Sequence, residues 1–215
     1  AGGLVNGTQF DHGCVERSCL ASGMTRGRLI VLDGLDGCGK TTQRSALAAW
    51  LPRSGLMPAG AGLICTREPG GTVFGQTLRE LLLHARGDQA PVPQAELLLY
   101  AADRAQHIET TIRPALKRGD WVLSDRFSGS TLAYQGHGRG LDLSLINQLE
   151  QIATGGLTPD LTLWLRLSVE DSIRRRRGER DDRIEAEGQA FLARVAEGFS
   201  VVAAQRNWCT VEAAQ

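Results

Sequence analysis

The run Gly34-Leu35-Asp36-Gly37-Cys38-Gly39-Lys40-Thr41 fits the spacing G-x-x-x-x-G-K-[ST] at every required position. That spacing suits the holding of a chain of phosphates. Glycines let the backbone curl until successive N–H groups point inward, and a helix opening just after them adds the positive end of its dipole. The Lys40 ammonium can then reach the outer phosphates, while the Thr41 hydroxyl, followed by Thr42, offers an oxygen to Mg²⁺. Lys40 and Lys117 are the only lysines, and every other basic residue is arginine. In such a chain, a lysine at this position points to a demand for that side chain.

Three further constellations could hold an acceptor for a phosphoryl group. Asp125-Arg126 offers an acid that can orient Mg²⁺ and its waters, and a guanidinium that can grip a phosphate bidentately. The same pair could also be a surface ion pair. Arg67-Glu68-Pro69-Gly70-Gly71 is a turn in which proline permits a cis bond at small cost. Tyr100 and Arg104 are four residues apart, hence on one helix face, where a ring and a guanidinium could sandwich and hydrogen-bond a flat base. Tyr100 taken alone reads as a core residue. The run Arg174 to Arg177, followed by Gly178-Glu179-Arg180, reads as a lid over the phosphates or as a basic face for nucleic acid.

The elements that would position these residues alternate. Leu29 to Leu32 is a wholly apolar run, the mark of a strand buried on both faces of a parallel sheet. A helix from about Lys40 to Leu51 follows, stopped by Pro52 and Gly55. Leu63 to Cys65 is a second strand, and a helix runs through Leu78, Leu81 and Leu82. One long helix is expected from about Gln94 to Lys117, with Pro114 kinking or ending it. Strands at Trp121 to Leu123 and Leu161 to Leu167 flank a helix near Leu143 to Ala153. A final helix from about Arg183 to Gln205 leads to a strand near Trp208 to Val211. Strands spaced by helices imply an α/β, three-layer domain with a central parallel sheet and right-handed crossovers, the P-loop NTPase architecture.

Composition narrows the classes. The chain has 215 residues, with 24 Lys+Arg against 24 Asp+Glu, so no net field draws it to nucleic acid or a membrane surface. No apolar run approaches the ~18–20 residues of a spanning helix. Five cysteines without a CxxC pair argue against a disulfide framework or structural zinc, and favour a reducing cytoplasm. Residues 1–23 are Gly-rich and aperiodic, and read as a disordered or non-native extension before a single domain over 24–215. No N-K-x-D sequence is present to read guanine, and the length leaves no room for a motor or a AAA+ lid. A kinase acting on a small acceptor remains.

Taken in order, GLDGCGKTT (Gly34 to Thr42), TREPGGT (Thr66 to Thr72), SDRFSGSTLAYQGHGRG (Ser124 to Gly140) and DRIEAEG (Asp182 to Gly188) resemble the thymidylate kinases, of the bacterial type with arginines in the lid. The resemblance implies ATP- and Mg²⁺-dependent phosphorylation of dTMP to dTDP, in dTTP synthesis. Another nucleoside monophosphate or deoxynucleoside kinase is the alternative. It implies that Arg126 with Arg79 holds the dTMP phosphate, and that Asp36 contacts the sugar 3′-hydroxyl or the metal environment. Tyr100 would stack on the base, Arg104 and Ser130 would meet its edge, and Tyr134 and Gln135 would line the pocket. Arg67 would bind substrate beside Pro69, which would border the recess for the 5-methyl group. Thr41 and Asp125 would serve the metal. Arg175 and Arg177 would be the catalytic arginines of a lid over about 174–183. It further implies a homodimer, and a helix beyond the last strand that the chain does not reach.

Overall fold

A computed structural model describes residues 26–176 and 182–214. Five strands form one sheet: β1 Leu29–Asp33, β2 Leu63–Arg67, β3 Trp121–Asp125, β4 Leu161–Arg166 and β5 Cys209–Glu212. Their spatial order is β2-β3-β1-β4-β5, and every pairing is parallel. Helices on both faces bury the sheet, which is why its central strands are apolar on both sides. Alternation along β1 shows this directly. Leu29 and Val31 join Val122, Ile108 and Ile112 on one face, while Ile30 and Leu32 join Leu123, Leu165 and Leu51 on the other.

The helices between strands are α1 Lys40–Trp50, α2 Val73–His84, α3 Pro93–His107, α4 Arg113–Lys117, α5 Ser128–Thr131, α6 Leu143–Thr154, α7 Val169–Arg175 and α8 Gln189–Gln205. The long helix expected over 94–117 is not uniform. Between α3 and α4, residues Ile108–Ile112 widen into an i→i+5 turn. Pro114 has no N–H, and its ring would press on the carbonyl four residues earlier. The wider turn gives it room, and the helix runs on to Lys117 instead of stopping. A second such segment, Leu132–Gly138, extends α5.

Two more boundaries differ from the reading of the sequence. The last helix begins at Gln189 rather than near Arg183, because Asp182 folds residues 182–187 into a separate turn by accepting from the Ile184 and Glu185 N–H groups. Part of the arginine run is helical, with Arg174 and Arg175 closing α7. The reading of residues 1–23 lies outside the described residues, as does Arg177.

Register places the chemistry. Asp125 of β3 stands level with Leu32 of β1 and Arg67 of β2. The carboxyl ends of these three strands, and the loops that leave them, therefore open on one edge of the sheet.

Candidate active site

The loop after β1 wraps around the start of α1. Gly34, at φ 140°, has no room for a side chain, since an added Cβ would lie 2.6 Å from the Leu165 carbonyl oxygen. Lys40 is buried, and its Nζ donates to the carbonyls of Leu35 at 2.8 Å and Gly34 at 3.1 Å, with Asp36 Oδ1 at 3.5 Å. An ammonium held this way can exchange carbonyl oxygens for phosphate oxygens with little movement of its stem. A cleft of about 420 Å³ opens beside it, lined by Gly37, Gly39, Lys40, Thr41, Thr42, Asp125 and Arg175 among others. Arg175 also places Nη1 3.5 Å from the Gly37 carbonyl.

β3 ends in a backbone outlier. Arg126 has φ 72°, a left-handed conformation costing a non-glycine residue of order 1–3 kcal/mol. The turn is held by Ser124 Oγ donating to the Arg126 carbonyl at 2.8 Å and by the Arg126 N–H donating to Leu32. Its effect is to fold the guanidinium back over the β1 loop. Nη1 donates to the Gly34 carbonyl and to Ser130 Oγ, both at 3.0 Å. Nη2 pairs with Asp36 Oδ1, and the Tyr134 ring lies 5.1 Å beneath the guanidinium carbon.

Electrostatics follow from this packing. Burial alone would raise the Asp36 carboxyl, but the Arg126 and Lys40 charges, with hydrogen bonds from Tyr134 and Arg126, hold it well below the usual range. Asp33, at the end of β1, goes the other way. Burial pushes it up to about 6 against the pull of Arg126, Ser130 and Lys40. Ser130 Oγ donates to Asp33 Oδ1 at 2.6 Å, so its proton is already engaged.

A second, smaller cavity of about 80 Å³ adjoins the cleft. Pro69, Tyr100, Arg104, Ser130, Tyr134 and Gln135 all line it. Asp36, Glu68, Arg79 and Arg126 line both spaces, so the two are neighbours across a shared wall. Arg67 belongs to the cleft side. The Glu68–Pro69 bond is cis. Arg79 donates to the Pro69 carbonyl at 3.1 Å, and burial, then the nearby Arg67 charge, pull its guanidinium below the ordinary arginine range. Three arginines facing one wall form a site for an anion.

Glu96, Asp103, His107 and Glu150 were not singled out from sequence, yet they hydrogen-bond Gln135, Gly70, Glu68 and Arg104 in and beside the small cavity's wall. Glu68 accepts from Arg104 Nε and lies 2.9 Å from His107 Nδ1. Glu96 is fully buried and accepts from Gln135, Arg139 and Arg183. A signal existed. Glu96, Tyr100, Asp103, Arg104 and His107 recur at three- and four-residue steps, a polar stripe on one side of α3.

Comparison with known proteins agrees with this geometry. A family profile described as thymidylate kinase matches residues 32–215. The thymidylate kinase of Synechococcus sp. (strain CC9605) is 69% identical over 189 residues, 88% of this chain and 90% of that protein. That of Prochlorococcus marinus (strain MIT 9303) is 68% identical, covering 88% of each chain. A crystal structure of thymidylate kinase from Ehrlichia chaffeensis matches with a TM-score of 0.69 at 32% identity, over 87% of this chain and 88% of that one.

Proposed function

The chain belongs to the thymidylate kinase family, and from that premise we propose that it transfers the γ-phosphoryl group of ATP to dTMP, giving ADP and dTDP for dTTP synthesis. The observation carrying this reading is the wall of Asp36, Glu68, Arg79 and Arg126 shared by the two cavities. A phosphoryl group needs its two partners on either side of one gap, held in line.

ATP takes the larger cleft, its phosphates against the β1 loop and Lys40. The dTMP base enters the smaller cavity, against Tyr100, with Arg104 and Gln135 at its edge. The acceptor phosphate meets Arg126 and Arg79, with Arg67 nearby, and its negative charge relieves the repulsion among these guanidinium groups. Asp36, kept ionised, is placed to accept from the sugar hydroxyl. Lys40 and Arg175, with Arg177 by resemblance, take up charge that develops on the transferring group.

Thr41 and Asp125 would hold Mg²⁺. Both line the phosphate cleft, and both supply oxygen, the ligand this ion prefers. Among the described residues no cluster of three or more His, Cys, Asp or Glu could cage a metal. When bound, Mg²⁺ neutralises phosphate charge.

The active form is a homodimer. Phe74 and Leu81 on α2, Leu98 on α3 and Leu145 and Ile152 on α6 are exposed apolar residues on helices that pack side by side. We place the enzyme in the cytoplasm, in keeping with five cysteines that form no CxxC pair. No helix among the described residues is long and apolar enough to cross a membrane.

The test is ADP formation with dTMP, dUMP, dCMP, AMP and thymidine as acceptors. Turnover led by dTMP is expected; preference for any of the other four would reassign the acceptor cavity.

A further inference from the structure

Arg104 has five N–H donors in one plane, and the fold engages three of them. Nε donates to Glu68 Oε2 at 2.8 Å, and Nη1 donates to Thr131 Oγ1 at 3.0 Å and to Glu150 Oε1 at 2.5 Å. The guanidinium carbon lies 5.6 Å from the centroid of the buried Phe127 ring, which limits tilting. Nη2 has no hydrogen-bond partner among the described residues, and Arg104 lines the acceptor cavity.

Two of the three acceptors, Glu68 and Thr131, themselves line that cavity. Glu150 does not: it reaches Arg104 from α6, 46 residues along the chain. Its Oε2 is buried with no hydrogen-bond partner, and burial pushes its carboxyl up despite the Arg104 charge. A half-satisfied buried carboxylate is a poor way to hold two helices together, since an apolar residue of similar volume often does as well or better. Its contact with Arg104 therefore asks for a reason other than stability.

We propose that Glu150 is a specificity-determining positioning residue for the acceptor base. By occupying Nη1 it fixes the guanidinium plane, so that the two Nη2 protons are what the cavity presents. A donor-only edge matches a pyrimidine whose exocyclic group is a carbonyl oxygen. Against an exocyclic amino group it sets N–H against N–H and leaves buried donors unpaired, the kind of mismatch a site rejects strongly. The inference rests on the dTMP reading and deepens it.

Steady-state kinetics of Glu150→Leu and Glu150→Gln with dTMP and dCMP test it, with ATP varied separately. Glu150→Leu is expected to raise KM for dTMP about tenfold or more while KM for ATP stays within about twofold. The dTMP-over-dCMP ratio of kcat/KM should fall by a similar factor. Glu150→Gln keeps an oxygen for Nη1 and should retain most of the ratio, with KM for dTMP raised about two- to fivefold. An unchanged ratio in the leucine variant, or equal losses for dTMP and ATP, would overturn the role. Should the leucine variant fail to fold, wild-type KM for dTMP in the glutamine variant would overturn it. A wild-type protein that makes no ADP with dTMP removes the acceptor assignment itself, whereas an active wild type with variants that change nothing removes only the part given to Glu150.

Discussion

Arg126 and Asp36 are 90 residues apart in sequence and pair directly at the wall between the two cavities, guanidinium Nη2 against carboxylate Oδ1. Each holds the other in its charged form. Burial would lower Arg126 and raise Asp36, yet Arg126 stays well above the arginine range and Asp36 well below the carboxylate range. The strained turn at Arg126 is the local cost of aiming that guanidinium at the β1 loop.

Arg126→Lys keeps a positive charge but loses the planar fork that reaches Gly34, Ser130 and Asp36 together. We expect kcat/KM for dTMP to fall about tenfold to a hundredfold, with KM for ATP within about twofold. Steady-state kinetics with each substrate varied in turn will show it; an equal effect on both substrates would place Arg126 outside the acceptor site.

Lys40→Ala is expected to reduce kcat at least about 10²–10³-fold, the scale of removing one donor aimed at transition-state charge. The variant's circular dichroism should match wild type. Near-normal turnover in a folded variant would reject the phosphate cradle.

The pH dependence of stability has a definite sign. Asp33 and Asp103 are both held up at about 6, each chiefly by burial, with Glu68 adding to the effect at Asp103. Acids raised above their unfolded value near 4 bind protons more tightly when native, so the folded state loses stability as pH climbs from about 4 to about 6. For Asp33 two units correspond to roughly 3 kcal/mol. Asp36 acts oppositely: held low, it stabilises above pH ~4, and that contribution fades as pH falls further. Asp33→Asn should therefore flatten the fall in Tm between pH 4 and 6, with Asp103 sustaining the remainder. A wild-type slope in this variant would show that Asp33 ionises normally in the fold.

Much of the site could be read before the structure, and the reason differs from residue to residue. Lys40 and Thr41 belong to a contiguous loop, where spacing alone states the chemistry. Asp125-Arg126 and Arg67 to Gly71 were legible because buried parallel strands bring their carboxyl ends to one edge. Glu150 was hidden because its partner comes from another helix. Only its phase gave a hint: Ile146, Glu150 and Ala153 form the buried stripe of α6, so an acid stands where an apolar residue belongs. The widened turn before Pro114 was invisible because residues 108–112 carry ordinary helical periodicity, and the adjustment is one of backbone spacing.

Gly129 tests a packing claim. A Cβ there would fall 2.1 Å from the Trp208 ring and 3.1 Å from Asp33 Oδ2. Gly129→Ala should cost about 1–3 kcal/mol by overpacking, read as a lowered Tm. Adding Trp208→Ala should recover part of the loss. A Tm unaffected by the single change would mean the ring is loosely held.

In the proposed reading the 5-methyl group of dTMP packs in a recess bordered by Pro69, which lines the smaller cavity. Such a preference is worth about 1–3 kcal/mol. We expect kcat/KM for dUMP to lie some 10- to 200-fold below that for dTMP; parity would leave the recess without a role.

The strand order bears on how the enzyme is born. β1 and β2 leave the ribosome before β3, yet they are not neighbours: β3 lies between them, and β1 also waits for β4 on its far side. Until residue 125 has cleared the exit tunnel, the nascent chain carries two apolar strands with no partner to pair with. Leu165, which packs against Gly34, arrives later still. The phosphate loop is thus made before the strands that frame it, and pairing that must wait for later segments slows folding and leaves apolar surface uncovered in the meantime.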